Sequence, residues 1–346
     1  MSVVNIKTIA KALNISPATV SRALNDSHEI KKETKDRVLA YAKEHNYRPN
    51  TFAKNLKTGK TNLIGVVIPF LSSPFFLDFI DELYKQILPL GYTLLPFQSQ
   101  NSAKQEQDAL EFLIQQNVAG IIISPAHEKS NTDLMTHIHQ NICPIILFDR
   151  LHHGLKTYKI GIHNSMETYN ATEELIKKGR RRISLLCGKD IGNTKDRIRG
   201  YKNALHNYGI PYLPEYVIYA NYQDPSQDID SELTQTLRNL WDNGNLPNAI
   251  VGGTDTLSIK ILGVLAGMEL NVPRDIAVIG FTNTNVADYL SPSLSTIRQP
   301  TGKMAGLALQ LLIEMMENTK DRTEMEYQSF LLESTTTLRK STDITA

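Results

Sequence analysis

Residues 14–25 read N-I-S-P-A-T-V-S-R-A-L-N and predict the turn and second helix of a helix-turn-helix. Ser16 can cap this helix, because its hydroxyl accepts a hydrogen bond from a backbone N–H that has no partner within the first turn. Pro17 suits the first helical position, since it lacks the N–H that would be unsatisfied there. Val20 and Leu24, four residues apart, form an inward stripe. The stretch therefore predicts a short helix that begins at Pro17.

The outward face of this helix has the composition of a DNA-reading surface. Ala18, Ser21 and Arg22 share the side opposite the inward stripe. In the major groove an arginine can bind guanine through two hydrogen bonds, a serine can bind a base or a phosphate, and an alanine methyl can touch thymine. An ordinary helical hairpin without a ligand is the alternative, and these residues alone leave both interpretations open.

The neighbouring segments complete a three-helix domain. Asn5 can cap a first helix, and Asn14 suits the left-handed residue of the turn that follows it. The apolar residues of the first helix recur at helical spacing, at Ile6, Ile9, Ala10 and Leu13. Residues 32–45 predict a third helix with three inward residues, Val38, Leu39 and Ala42. A domain of about fifty residues is small, but it can fold on its own.

Formal charge is distributed unevenly along the 346 residues. Residues 1–60 contain twelve Lys and Arg and five Asp and Glu, which gives +7, whereas the rest of the chain has 25 basic and 31 acidic residues. This imbalance predicts a polyanionic partner for the first sixty residues, with a merely solubilising basic end as the alternative. The length predicts two or three domains, and 41% hydrophobic and 21% charged residues are ordinary for a soluble globular protein.

The cysteines and the apolar runs indicate a cytoplasmic protein. Cys143 and Cys187 lie beside apolar runs, so we expect two buried thiols, no disulfide and no metal site. The N-terminus has no apolar signal core, and no run approaches eighteen apolar residues. We therefore expect no membrane partner and no cofactor.

Residues 46–61, N-Y-R-P-N-T-F-A-K-N-L-K-T-G-K-T, predict a short hinge helix. Pro49 ends the third helix, and Ala53 and Leu56 share a face of the next one. A helix of about eight residues is not stable in isolation. The segment is therefore either a simple linker or a helix that folds only against DNA and a partner copy.

From Leu63 onward, apolar strands alternate with helices. Strands such as L-I-G-V-V-I-P and A-G-I-I-I-S-P are apolar almost throughout, which is typical of a parallel sheet buried on both faces. A second series of the same kind begins near Ile160. The sequence therefore predicts a two-lobe α/β core of two doubly wound parallel sheets, with a cleft at the carboxyl ends of the strands.

The order of motifs along the chain resembles the lac repressor (lactose/galactose repressor) family over essentially its full length. Besides the helix-turn-helix stretch and the hinge N-Y-R-P-N-T-F-A-K-N-L, the motifs are I-G-V-V-I-P at 64–69, F-D-R at 148–150, D-R-I-R-G-Y at 196–201, I-A-V-I-G-F at 276–281 and L-S-T-I-R-Q-P at 294–300. The resemblance implies a cytoplasmic homodimer, with a tetramer as a further possibility. It also implies a core like that of periplasmic sugar-binding proteins, bound to operator DNA and a small effector.

The resemblance also implies domain boundaries, because the lobes of such cores exchange strands. The expected division is 1–48 for the helix-turn-helix domain, 49–61 for the hinge helix and linker, 62–162 plus 299–322 for the first lobe, 163–298 plus 323–340 for the second lobe, and 341–346 for a C-terminal tail.

Eleven residues are implied at the DNA site: Asn5, Ser16, Pro17, Ala18, Thr19, Ser21, Arg22, Asn25, Asn50, Ala53 and Leu56. Pro17, Ala18 and Arg22 resemble the base-reading face. Leu56 matches the hinge leucine that wedges into the minor groove at the operator centre, where unstacking costs a few kcal/mol and bent DNA covers more protein. Ala53 is small enough for paired hinges to approach each other.

Eight residues are implied at the effector site: Phe75, Asp149, Arg150, Arg197, Tyr222, Thr254, Thr282 and Asn283. Asp149 and Arg197 suit sugar hydroxyls, although a salt bridge between the lobes is the alternative for that pair. The chain departs from the family pattern where Thr282 and Asn283 replace the usual Asp-Asp. Thr254 replaces a common Asn, and His163-Asn164 replaces Asp-Asn.

These departures leave the effector class open. Removing carboxylates while Arg197 and Arg150 remain favours an acidic effector, such as a sugar phosphate, a uronic acid or a short acidic saccharide, because arginine matches carboxylate and phosphate geometry. Thr and Asn can equally bind the hydroxyls of a neutral sugar.

The function that follows is an effector-gated DNA-binding transcription regulator, most simply a repressor, in which the effector shifts the paired hinge helices. A periplasmic-type sugar-binding protein should have a secretory signal and no helix-turn-helix. An enzyme is not indicated, because G-x-G-x-x-G, the P-loop, H-E-x-x-H and G-x-S-x-G are missing from the sequence. An architectural DNA-binding protein would not need the large core. Four histidines lack the spacing for one helical face and are expected at the surface: His137, His139, His152 and His153.

Overall fold

The computed structural model describes residues 5–24, 26–45, 47, 61–188, 192–220, 228–318 and 320–343. The chain divides into two compact units, Met1–Thr61 and Asn62–Ala346. Each unit has its own hydrophobic core, so we describe them one at a time.

The first unit contains the three expected helices, α1 (Ile6–Leu13), α2 (Pro17–Leu24) and α3 (Lys32–Glu44). Its core is formed by six buried side chains, two from each helix: Ile9, Ala10, Val20, Ala23, Val38 and Ala42. Each helix thus supplies an apolar pair at a spacing of one, three or four residues, which is enough to close a small three-helix core.

The helix ends are capped as the sequence predicts. The Asn5 side chain accepts a hydrogen bond from the Thr8 N–H, and Thr8 Oγ1 accepts one from the Asn5 N–H, which forms a capping box. Asn14 has a φ of 53° at the turn. Ser16 Oγ accepts a hydrogen bond from the Thr19 N–H at 3.0 Å. In contrast, α3 begins after Lys31 without a side-chain cap.

One inward position was predicted incorrectly in this unit, because Leu39 is 49% exposed. Leu24 packs against the core as predicted, although it is only partly buried and Ala23 is the second fully buried residue of α2. Leu39 lies about 100° around the helix from Val38, beyond the narrow face that α3 presents to the other two helices.

The second unit is the α/β core, with twelve strands and eight helices among its described residues. The strands are β1 (Leu63–Ile68), β2 (Thr93–Gln98), β3 (Gly120–Ile123), β4 (Ile145–Phe148), β5 (Lys159–Ile162), β6 (Ile183–Gly188), β7 (Val217–Ala220), β8 (Ala249–Gly252), β9 (Ala277–Phe281), β10 (Ser295–Arg298), β11 (Ser329–Leu332) and β12 (Thr335–Thr337). The helices are α4 (Pro74–Ile87), α5 (Ala103–Gln115), α6 (Thr132–Asn141), α7 (Asn164–Lys177), α8 (Thr194–Asn207), α9 (Ile229–Asp242), α10 (Asp255–Gly267) and α11 (Thr301–Glu317).

The strands form two six-stranded sheets, which define the two lobes. The first sheet has the order β11-β5-β4-β3-β1-β2, and its recorded strand pairs are parallel. The second has the order β12-β10-β9-β8-β6-β7, and among its described strands the β10–β12 pair is antiparallel and the other pairs are parallel. Both predicted sheets are therefore present.

Helices cover both faces of each sheet, which explains why the strands are apolar at nearly every position. On one face of the first sheet, α4 and α11 enclose a core in which the Phe79 and Phe148 rings stack at 4.0 Å. On the other face, α5 and α6 cover a second core that contains Leu113 and Ile138. The second sheet is covered in the same way.

The chain crosses between the lobes three times. It passes from β5 to α7, from β10 to α11, and from β11 to β12. Because α11 packs against α4, residues 301–317 belong to the first lobe although they follow a strand of the second.

The expected assignment of residues 323–340 to the second lobe is wrong for β11. This strand pairs in parallel with β5, with Leu331 opposite Gly161, and so lies at the edge of the first sheet. The expected tail at 341–346 also begins too early, because Ser341 and Thr342 are buried and Ser341 Oγ donates to the Val278 carbonyl at 2.6 Å. Both segments are held by hydrogen bonds to strands that are distant in sequence, which the local pattern does not indicate.

Two of the four histidines expected at the surface are buried. His139 Nε2 is hydrogen-bonded to the Tyr327 hydroxyl at 2.8 Å, and its Nδ1 accepts from the Ile145 N–H at 3.0 Å. Burial lowers the pKa of His139 to about 4. His153 is also buried, with Nε2 2.7 Å from the Ser130 carbonyl oxygen. These two imidazoles therefore connect separate segments of the first lobe through hydrogen bonds.

The two cysteines, Cys143 and Cys187, are buried free thiols, as predicted. Burial raises the pKa of each to about 12. Across the described part of the chain, no helix is both long enough and apolar enough to cross a membrane.

Gly200 permits a close approach of α8 to α7 in the second lobe, because it has no side chain. A Cβ at this position would overlap the backbone carbonyl of Ser165. We expect Gly200→Ala to lower the free energy of unfolding of the core by at least about 1–3 kcal/mol, the usual cost of overpacking. Gly263→Ala, a helical glycine with open space around it, is the matched control. It should be neutral or stabilising by up to about 1 kcal/mol. Denaturant unfolding measures the free energy of unfolding of each variant. If Gly200→Ala and Gly263→Ala change it equally, the close approach of the two helices at Gly200 is contradicted.

Candidate DNA-binding face and effector site

The exposed face of α2 presents the residues expected to read DNA. Pro17, Ala18 and Arg22 are exposed, and Thr19 and Ser21 are half-buried. The Ser16 and Thr19 hydroxyls lie 2.8 Å apart at the start of the helix, where Ser16 also caps it.

Arg22 has a weak partner on its own unit. Its Nη1 lies 3.4 Å from Glu29 Oε2, and both side chains are more than half exposed. Because exposed ion pairs contribute little stability, the guanidinium can exchange this carboxylate for a base edge or a phosphate at small cost.

The remaining DNA-site predictions are placed as follows. The Asn5 side chain is engaged in the capping box at the start of α1. Asn25, Asn50, Ala53 and Leu56 lie outside the described residues, as does Tyr222 of the effector prediction.

A cavity of about 690 Å³ lies between the two lobes of the core. Five of the predicted effector residues line it: Phe75, Asp149, Arg150, Arg197 and Thr254. Prominent among the other lining residues are Phe70, Ser73, Phe76, Gln98, Gln100, Gln105, Asn193, Asp255, Phe281 and Gln299. The size and the mixture of aromatic and polar groups are those of a small-molecule site.

Asp149 joins the lobes through a side chain of the second lobe. It follows β4 with a φ of 62° and accepts hydrogen bonds from Asn193 Nδ2 at 2.8 Å and from Ser124 Oγ at 3.4 Å. Burial raises the pKa of Asp149, while the charges of Arg150 and Arg197 lower it. The neighbouring donors and cations therefore stabilise the ionised form of this buried carboxylate.

Both predicted arginines are engaged with acceptors of the protein. Arg150 Nη1 donates to Asn101 Oδ1 and to the carbonyls of Pro125 and Ala126. These bonds hold the guanidinium against the loop that follows β3.

Arg197 is fixed in the same way from the second lobe. Its Nε donates to Asn164 Oδ1 at 2.9 Å, and its Nη1 donates to the Gly253 carbonyl. The guanidinium carbon lies 4.0 Å above the centre of the Phe281 ring, which is a cation–π contact.

Asp255 is a second buried carboxylate of the cavity that was not predicted. It begins α10 beside Thr254, which caps the helix by accepting from the Leu257 N–H. Asp255 accepts from Ser73 Oγ of the first lobe at 3.1 Å and from the Asn283 N–H at 2.8 Å. Burial raises its pKa.

Thr282 and Asn283, predicted at the effector site, are not part of the cavity lining. The Thr282 hydroxyl accepts from the Thr284 N–H. Asn283 Nδ2 donates to Asp78 Oδ2 at 3.1 Å and to the Gln299 carbonyl at 2.9 Å. Both side chains are buried, and Asn283 is directed toward the crossover at 299–301, whereas Thr282 is hydrogen-bonded to Asp255.

Asp78 completes this lobe-spanning network from α4. Its carboxylate also accepts from Arg298 Nη2 at 3.0 Å and from Thr301 Oγ1 at 2.6 Å. Asn283, which replaces one of the expected carboxylates, thus links the two lobes.

Four of the missed polar lining residues share one signal in the sequence. Gln98 and Gln100 end or follow β2, Asp255 follows β8, and Gln299 follows β10. Polar side chains at the carboxyl ends of parallel strands point toward the cleft. Asn193 lies one residue before α8, where no strand end indicates it.

Sequence profiles of two families match the chain. "Bacterial regulatory proteins, lacI family" matches residues 5–50, and "Periplasmic binding protein-like domain" matches residues 172–342. These ranges fall on the first unit and on the core.

Individual proteins are similar over nearly the whole length. The ribose operon repressor of Haemophilus influenzae is 28% identical over 97% of this chain and 98% of its own. The transcriptional repressor PurR of Pasteurella multocida is 27% identical over 93% and 95%. A solved lac repressor dimer bound to operator and the anti-inducer ONPF has the same fold, with a TM-score of 0.83, 21% identity and 99% coverage of both chains.

A helix-turn-helix unit joined to a core with a cavity between its two lobes defines a ligand-responsive DNA-binding transcription regulator. The chain belongs to the LacI family of bacterial regulatory proteins.

Asn283 is expected to be structural rather than a direct effector contact. Asn283→Ala should lower the free energy of unfolding of the core by about 1–3 kcal/mol, because Gln299 loses two buried hydrogen bonds and Asp78 loses a donor. Asn170→Ala, at an exposed position on α7, should change it by less than about 0.5 kcal/mol. Thermal and denaturant unfolding provide the measurement. A variant as stable as the unmodified protein would rule out the bridging role.

Proposed function

We propose that this protein is a cytoplasmic, dimeric transcriptional repressor whose affinity for operator DNA is set by a small neutral polyhydroxylated effector. The observation that carries the proposal is the combination of an exposed Arg22 face on a basic three-helix unit with the cavity between the lobes. The Arg22 face by itself indicates only DNA binding, and the cavity by itself indicates only ligand binding; together they indicate a regulator.

In this proposal the two copies of α2 in a dimer lie in successive major grooves of a pseudo-palindromic operator. Pro17, Ala18 and Arg22 read base edges, while Ser16, Thr19, Ser21 and Asn5 lie near bases or phosphates. Hydrogen bonds to phosphate fix the register, and the base contacts give the sequence preference.

Asn25 and the hinge residues complete this surface. Asn25 and Asn50 extend the polar contacts, the small side chain of Ala53 permits pairing of two hinges, and Leu56 wedges into the minor groove. These roles rest on the resemblance of the hinge motif.

Of the two effector classes that the sequence leaves open, the cavity favours the neutral one. The guanidinium groups of Arg150 and Arg197 already donate to carbonyl and amide oxygens, so neither is a vacant anion site. The carboxylates of Asp149 and Asp255 would repel an anion. Carboxylates, amides and a serine instead suit hydroxyl groups, which both donate and accept.

The effector would act through the contacts between the lobes. Ser73 with Asp255, and Asn193 with Asp149, are pairs whose bonds a bound hydroxyl can replace or reinforce. The ligand thereby changes the free energy of lobe closure, and it can shift the equilibrium only by its difference in affinity for the open and closed states.

Arg22→Ala tests the DNA face. An operator is first selected from random DNA with the unmodified protein, and base preference is then measured at every position. Loss of an arginine–guanine contact should relax the preference at one position in each half-site, at a cost of about 1–3 kcal/mol. Lys11→Ala, which removes the same charge from α1, should weaken all sequences equally. A uniform loss with Arg22→Ala would instead place this side chain on phosphate.

Calorimetric titration with matched neutral and acidic sugars tests the effector class. Glucose, galactose and ribose are compared with glucuronate, galacturonate and ribose 5-phosphate, and operator affinity is measured with each. We expect binding, and a change in operator affinity, with a neutral member. Tighter binding of the acidic partner, or binding of none of the neutral sugars and their neutral oligomers, would contradict the proposed class.

A further inference from the structure

A second cavity lies between the lobes beside the first. It has a volume of about 510 Å³ and is formed by α7 and α8 of the second lobe and by the ends of β4, β5 and β11 of the first. Its volume alone is in the range of small-molecule sites.

The two cavities share a wall made by Asp149 and Asn193, which line both. Asn193 Nδ2 donates to Asp149 Oδ1 at 2.8 Å, so at this point one side-chain hydrogen bond divides the two spaces. A hydroxyl inserted here could donate to the carboxylate and accept from the amide, because it has both functions. The wall can therefore open around a ligand without leaving a buried polar group unsatisfied.

The second cavity has the surface of a carbohydrate subsite. Met166 and Tyr169 on α7 offer apolar area to the C–H groups of a sugar ring, and Asn203 on α8 is exposed in the lining. Asp196 and Arg199 pair with each other at 2.8 Å, and His152 Nε2 of the first lobe lies 2.6 Å from Asp196. Because these charged groups are paired, the lining suits a neutral ligand.

We propose that the two cavities form one extended effector site, and that the effector is a linear saccharide of two or more units. One unit would occupy the first cavity, a hydroxyl near the glycosidic bond would replace the Asn193–Asp149 contact, and the next unit would bind against Tyr169 and Asn203. The inference rests on the proposed function, since it specifies the length of the neutral polyhydroxylated effector.

The test is calorimetric titration of the full chain with three homologous series: glucose, maltose and maltotriose; glucose, cellobiose and cellotriose; and xylose, xylobiose and xylotriose. In at least one series the disaccharide should bind at least tenfold more tightly than its monosaccharide. Asn203→Trp, which places a ring in the second cavity, should remove this gain and leave monosaccharide affinity within about threefold.

His206→Trp is the matched control, because His206 is exposed on the same helix and outside the cavity lining. It should keep the gain from chain length. If the monosaccharide binds as tightly as the longer members, or if Asn203→Trp keeps the gain, the extended site is refuted while the effector class stands. If no member of any series binds, and the neutral monosaccharides of the effector-class test also fail, both proposals are overturned.

Discussion

The polar contacts between the lobes follow from one constraint: a carboxylate taken out of water must find donors or cations. Asp149 of the first lobe receives a hydrogen bond from Asn193 of the second, and Asp255 of the second receives one from Ser73 of the first. Asp78, which is only partly buried, accepts across the same gap from Asn283. Closure of the lobes therefore brings each of these two buried carboxylates to a donor of the opposite lobe. In the proposed function, a ligand that exchanges these hydrogen bonds changes the free energy of closure.

The sheet topology makes this reciprocal arrangement possible. In each lobe the parallel strands point their carboxyl ends toward the other lobe, and residues just after them, such as Asp149 and Asp255, face the shared space. Three crossings of the chain hold the lobes opposite each other. The first cavity is the part of this gap that side chains leave unfilled.

The sequence predicted most of the elements, for local reasons. Runs such as residues 64–68 are apolar at nearly every position because helices cover both faces of the sheet, and Ser16 and Asn5 cap helices as their positions indicated. It failed at β11, whose four residues carry no sign of the distant strand with which they pair. His139 was misplaced for the same reason, since its partner Tyr327 is 188 residues away.

The amino-acid sequence by itself determined the helix-turn-helix unit and the alternation of strands and helices, because these depend on neighbours within a few positions. The five predicted residues that line the cavity came instead from the resemblance of the motifs to the lac repressor family. Only the tertiary structure decided that Asp255 faces the cavity while Asn283 lies behind its wall. Ser73 and Asp255 are separated by 182 residues, and Asp78 and Asn283 by 205. Hydrogen bonds over such separations are set by how two folded lobes meet, and no local periodicity encodes them.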